Sequence, residues 1–110
     1  MSRVSVEDIS VGSATQVLGL RGGRVYYFNT TTMTLSQSNV WNNFQQVTIA
    51  EDGTAWARGG ASDHYRAATV DGNNTVWTST QLGLPVNTLS CRSAQQVVTT
   101  SGAGTNVLHL

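Results

Sequence analysis

Lysine is absent from this 110-residue chain and charge of either sign is scarce: six arginines balance six carboxylates, and charged residues make up 11% of the sequence. Without a dense positive field, no face can hold a nucleic acid backbone or an anionic lipid surface, so neither nucleic acid nor membrane insertion is expected. Cysteine is nearly missing too. Cys91 stands alone, which rules out an intrachain disulfide, and its place in Leu89-Ser90-Cys91 marks it as a small buried hydrophobe. No apolar run reaches the roughly 18 residues of a spanning helix, and Met1 to Asp8 contains no apolar core of signal-peptide length. The chain is therefore expected in the cytoplasm, or released without a conventional signal peptide. Helical periodicity is lacking as well, because Gly or Thr/Asn clusters interrupt every window that might hold apolar residues at helical spacing.

The material for catalysis is thin. Asp63 and His64 are neighbours in a strand-like segment and so point to opposite faces, and His109 has no carboxylate near it in sequence. The scattered acids and lone cysteine lack the clustering that a metal needs. Arg21-Gly22-Gly23-Arg24 matches no phosphate-binding loop and reads as a hairpin turn. No enzyme activity, cofactor or metal is expected.

Neutral polarity and turn residues fill the space that charge leaves. Ser, Thr, Asn and Gln occupy 41 positions, and most of the eleven glycines fall between short apolar runs. That balance predicts an all-β protein. Strand signals fall at 9–11, 16–20, 24–28, 32–35, 44–49, 54–58, 64–69, 75–80, 88–91, 96–100 and 105–110. Gly22-Gly23, Asp52-Gly53, Gly59-Gly60, Asp71-Gly72 and Gly102-Ala103-Gly104 separate them.

Laid on itself, the chain aligns in three copies. Val11, Ile49 and Cys91 fall in register at offsets of 38 and 42 residues. So do Val17, Ala55 and Val97, then Leu18, Trp56 and Val98, then Gly22, Gly60 and Gly102. One domain, 1–110, is expected, with repeat one at about 7–43, repeat two at about 44–85 and repeat three at about 86–110. Each repeat of about 40 residues holds four strands, except that the third runs out after three. A sheet edge left open is covered or paired in stable proteins. Residues 1–6, with the alternating Arg3-Val4-Ser5-Val6, are expected to supply the missing strand, in the same chain or in a neighbour.

Glu7-Asp8-Ile9-Ser10-Val11-Gly12-Ser13 resembles the opening strand of a tectonin-type β-propeller blade, and Gln46 to Arg58, ending in Gly53-Thr54-Ala55-Trp56-Ala57-Arg58, is similar to the turn and second strand of such a blade. Asp63-His64-Tyr65-Arg66 sits where that family tends to carry an Ile-Tyr-Arg third strand. The resemblance implies propeller blades and a lectin, binding glycans at one end of the ring. Since three blades cannot close a ring, it also implies a homo-oligomer, preferably a dimer of six blades. A monomeric β-trefoil, also built from three four-stranded repeats, is the alternative.

A sugar site wants aromatic platforms and groups that pair with hydroxyls. Trp41 and Asn42, in the link between repeats one and two, offer both, although Trp41 serves equally well as packing between units. Trp77 is a second aromatic candidate, with packing as its other role. Arg58 and Arg66, the latter beside Tyr65, have planar forks suited to vicinal hydroxyls, or else lie on a solvated face. Trp56, aligned with Leu18 and Val98, is expected in the core between units. The competing function is a structural or protein-binding module in which these aromatics only pack.

Overall fold

A computed structural model describes residues 8–13, 15–41, 43–59, 64–72, 74–82, 86–102 and 104–110; of residues 39–41 it describes the backbone alone. They form an all-β structure of eleven strands in three antiparallel meanders. The first sheet runs β1 (Asp8–Ser13), β2 (Gln16–Arg21), β3 (Arg24–Asn29) and β4 (Thr34–Trp41). The second runs β5 (Gln46–Ile49), β6 (Ala55–Arg58), β7 (His64–Ala67) and the two-residue β8 (Thr78–Ser79). The third has β9 (Thr88–Ser93), β10 (Gln96–Ser101) and β11 (Gly104–His109). Among the described residues no helix is long and apolar enough to cross a membrane. The segment expected to complete the third sheet, residues 1–6, lies outside the described residues.

Local chemistry explains the strand limits. Gly22 and Gly23 have φ of 59° and 80°, the paired positive values of the tight turn that suits twisted hairpins, so β2 and β3 meet without a loop. Asn29 Oδ1 accepts the backbone N–H groups of Thr31 and Thr32, at 3.0 and 3.1 Å, and Met33 follows at φ 57°. This turn takes residues 32 and 33 out of the strand expected at 32–35, and β4 begins at Thr34. A register break opposite Arg24 and Tyr26 then lets β4 continue to Trp41, which pairs with Arg24. Trp41 therefore ends a strand instead of lying in the link between units.

The sequence repeat is a repeat of ladder positions. Val11 pairs with Val17, Ile49 with Ala55 and Cys91 with Val97. Gly12 and Arg92 are extra residues at equivalent bulges in the first and third units. Because side chains alternate across a strand, each unit carries one matching row on one face: Ser10-Leu18-Tyr27-Ser36, Thr48-Trp56-Arg66-Thr78 and Ser90-Val98-Val107.

The rows of the first two units cover the next unit. Leu18, Leu20, Val25 and Tyr27 pack on Phe44, Val47, Ile49, Ala55, Ala57, Ala67, Val70 and Trp77. Trp56, completely buried, packs with Ala50, Val86, Leu89, Cys91 and Val97, as expected of a residue between units. The first strands stand side by side, β1 against β5 and β5 against β9. Their unladdered N–H groups are met by side chains of the preceding unit. Asp8 accepts from Val47 N at 3.1 Å and Ser10 from Ile49 N at 3.0 Å. Gln46 accepts from Leu89 N, and Thr48 from Cys91 N, each at 3.0 Å. Gln46 also donates to Leu89 O at 3.2 Å, so its amide replaces a peptide group of a neighbouring strand.

Burial, with the Asp52 carboxylate adding to it, pushes the Cys91 thiol up to about 11. The thiol is thus neutral and shielded at pH 8, and iodoacetamide is expected to label it only after unfolding, as counted by intact mass. A raised pKa means that the folded state holds the proton more tightly. This contribution to stability is complete below the ordinary thiol value of 9.0 and is lost as pH rises toward 11.

Candidate functional site

Strand contacts between units are concentrated in the first two strands of each, and the outer strands part. Between the first and second units this leaves a cleft of about 440 Å³. Tyr27, Asn29, Thr34 and Ser36 of β3 and β4 form one wall, and Val70, Asp71, Gly72 and Asn74 the other. Gln16 closes its base, donating to Val70 O at 3.2 Å. The Gln16 amide rests against Gly53, whose φ of 92° and missing side chain admit it.

The second wall is a self-bonded turn. Thr75 Oγ1 accepts from Asp71 N at 2.8 Å and donates to Gly72 O at 2.7 Å, while Asn74 N donates to Asp71 O at 2.9 Å. These bonds hold Asp71 and Asn74 at the rim, both exposed. On the opposite wall Tyr27 Oη accepts from Trp77 Nε1 at 2.8 Å, which fixes the phenol and leaves its O–H to donate. Among the described residues Asp71 is the single charged one lining this cleft. A wider groove of about 840 Å³ continues past Gln16, Val70, Asp71 and Asn74 to Arg66, Val76, Thr78 and Thr80.

Between the second and third units Asp52 replaces the hydrogen-bonding role of Gln16. Its carboxylate accepts from Thr54 N at 3.0 Å and Ala94 N at 2.9 Å, and those two bonds hold it below the ordinary carboxylate range. Arg66, in the row position of Tyr27, donates from Nη2 to Ala94 O at 3.3 Å. Its Nε is buried with no hydrogen-bond partner among the described residues.

No family model and no curated protein matches the chain.

Of the six residues singled out in the sequence, the four whose side chains are described do not gather at one surface. Arg66 lines the wider groove. Trp77 is buried, its indole bonded to Tyr27 and its ring 6.5 Å from that of Phe44. Tyr65 packs edge-on against Phe44, with ring centroids 5.4 Å apart. Arg58 is half-buried and donates through Nε to Gln46 at 3.3 Å; burial lowers its pKa and the nearby Asp8 opposes that. It supports the contact between first strands. Asn42 and the Trp41 side chain lie outside the described residues. The cleft residues Tyr27, Asn29, Ser36, Asp71 and Asn74 are not among those singled out from sequence; the turn Asp71-Gly72 is legible there, whereas the row position that Tyr27 shares with Arg66 comes from the strand pairing, since the offset of 38 sets Tyr27 on Tyr65.

Proposed function

We propose that the three units are blades of a β-propeller and that the chain is a carbohydrate-binding protein, not an enzyme, that takes glycans into the clefts between blades. The observation that carries the reading is the cleft between the first two units. Its rim of hydroxyls and amides with one carboxylate suits a neutral ligand rich in hydroxyls, and its volume falls in the usual range for small-ligand sites. The fold supports it too. Side-chain bonds and apolar packing, and no backbone ladder among the described residues, join one unit to the next, whereas a trefoil interleaves its repeats in a shared barrel. The tectonin-type resemblance of the sequences Glu7 to Ser13 and Gln46 to Arg58 points the same way.

Repeated shallow clefts on one rigid body favour multivalent glycoconjugates, because weak sites acting together gain avidity. Arg66 in place of Tyr27 gives the second cleft a different partner for hydroxyls.

A glycan array with the purified protein, followed by calorimetric titration of the best ligand, tests the reading. Asn74→Ala removes an exposed rim amide and leaves its backbone bond intact, so affinity is expected to fall about tenfold, the equivalent of one hydrogen bond of about 1.4 kcal/mol, with the melting temperature unchanged. Silence across the array at high protein concentration overturns the reading in favour of a structural or protein-binding module.

A further inference from the structure

We propose that a second copy of this chain docks head to tail on the first, the β9 face of one unit three covering the β1 face of the other's unit one, by the same contact that joins successive units within the chain. That internal contact has three parts: apolar residues at two alternate positions of the incoming first strand, the N–H groups of those residues, and two side-chain oxygens on the preceding first strand. The incoming residues are Val47 and Ile49 in unit two, 3% and 4% exposed, and Leu89 and Cys91 in unit three, 3% and 6% exposed. The accepting residues are Asp8 and Ser10 for the first contact, Gln46 and Thr48 for the second.

Each half of a third such contact is present at an end of the molecule. The offset of 38 residues that relates units one and two carries Val47 and Ile49 onto Ile9 and Val11, which are 58% and 66% exposed. The offset of 42 carries Gln46 and Thr48 onto Thr88 and Ser90, also exposed. Thr88 is braced by its cross-strand neighbour Thr100, hydroxyl to hydroxyl, as Gln46 is braced by Arg58. Thr88 Oγ1 and Ser90 Oγ are therefore the acceptors for Ile9 N and Val11 N of the second copy. The exposed Val107, in the row position of Tyr27, joins half-buried Val98 as the apolar cover. Because donor and acceptor surfaces differ, the contact is heterologous, and two three-unit copies joined at both ends close on themselves.

Light scattering coupled to gel filtration reads the result independently of any sugar. The wild-type chain is expected at twice the chain mass. A head variant, Ile9→Asp with Val11→Asp, and a tail variant, Thr88→Val with Ser90→Val, are each expected at the mass of one chain, with circular dichroism unchanged since all four sites are exposed. Mixed together, they retain one good head and one good tail, and a species of two chains is expected to return. A wild-type monomer at every soluble concentration, a dimer that survives the head substitutions, or a mixture that stays monomeric overturns the proposal.

Discussion

Trp56→Ala is expected to cost about 3–5 kcal/mol of folding stability, a large fraction of the roughly 5–15 kcal/mol that holds a domain of this kind together. The indole is completely buried at the centre of the row Thr48-Trp56-Arg66-Thr78 and is the largest side chain between units two and three. Val86, Leu89, Cys91 and Val97 close around it, so truncation leaves a cavity bounded by two sheets that cannot collapse without shifting against each other. The polar contacts across the same seam, Gln46 to Leu89, Thr48 to Cys91 and Asp52 to Ala94, depend on that spacing. Hydrogen exchange should consequently quicken in β9–β11 more than in β1–β4. Trp56→Phe is the informative companion. Trp56 Nε1 has no hydrogen-bond partner among the described residues, so phenylalanine removes a buried polar atom along with volume, and its cost is expected near 1 kcal/mol. Urea unfolding followed by circular dichroism measures both, and a loss below about 1 kcal/mol for alanine would contradict the central place given to this ring.

The strands were legible because their signals are local: alternation within a run, and turn residues such as Gly22-Gly23 that force the chain back. The core position of Trp56 was legible because the repeat aligned it with Leu18 and Val98. The cleft was not, since its walls come from β3 and β4 on one side and the turn at 71–75 on the other, brought together only when unit one packs on unit two. Residue type alone does not place a side chain either. Trp77 reads from sequence as a sugar platform or as packing, and Tyr27 from another unit satisfies its N–H and buries the ring. Arg58 has the planar fork that suits hydroxyls, and the ladder sets it opposite Gln46, where it braces the contact between first strands. One signal went unused: Asp8, Gln46 and Thr88, and likewise Ser10, Thr48 and Ser90, are polar columns of the repeat inside apolar strands. A polar residue at the same place in every copy marks a bond made between copies.

Gly12→Val is expected to detach unit one from unit two at a cost of about 1–3 kcal/mol for the overpacking alone, and about 1 kcal/mol more for each hydrogen bond lost with it. A Cβ at Gly12 would stand 2.7 Å from Ala50 O and 3.1 Å from Ile49 Cγ1. The first of these is backbone and cannot turn aside, so β1 must lift from β5. The two acceptors nearest the displaced bulge, Ser10 and Asp8, then lose Ile49 N and Val47 N. If the strain acts through those bonds, Ser10→Ala should cost less in the Gly12→Val background than in the wild type, a coupling that a double-mutant cycle reads directly. Gly102→Ala is the control, because among the described residues nothing lies within 4 Å of a Cβ there, and its effect is expected within about 0.5 kcal/mol of zero. Equal stability losses at Gly12 and Gly102 would mean that the close approach of β1 to β5 does not govern the contact, and the shared geometry of the two seams would lose its physical basis.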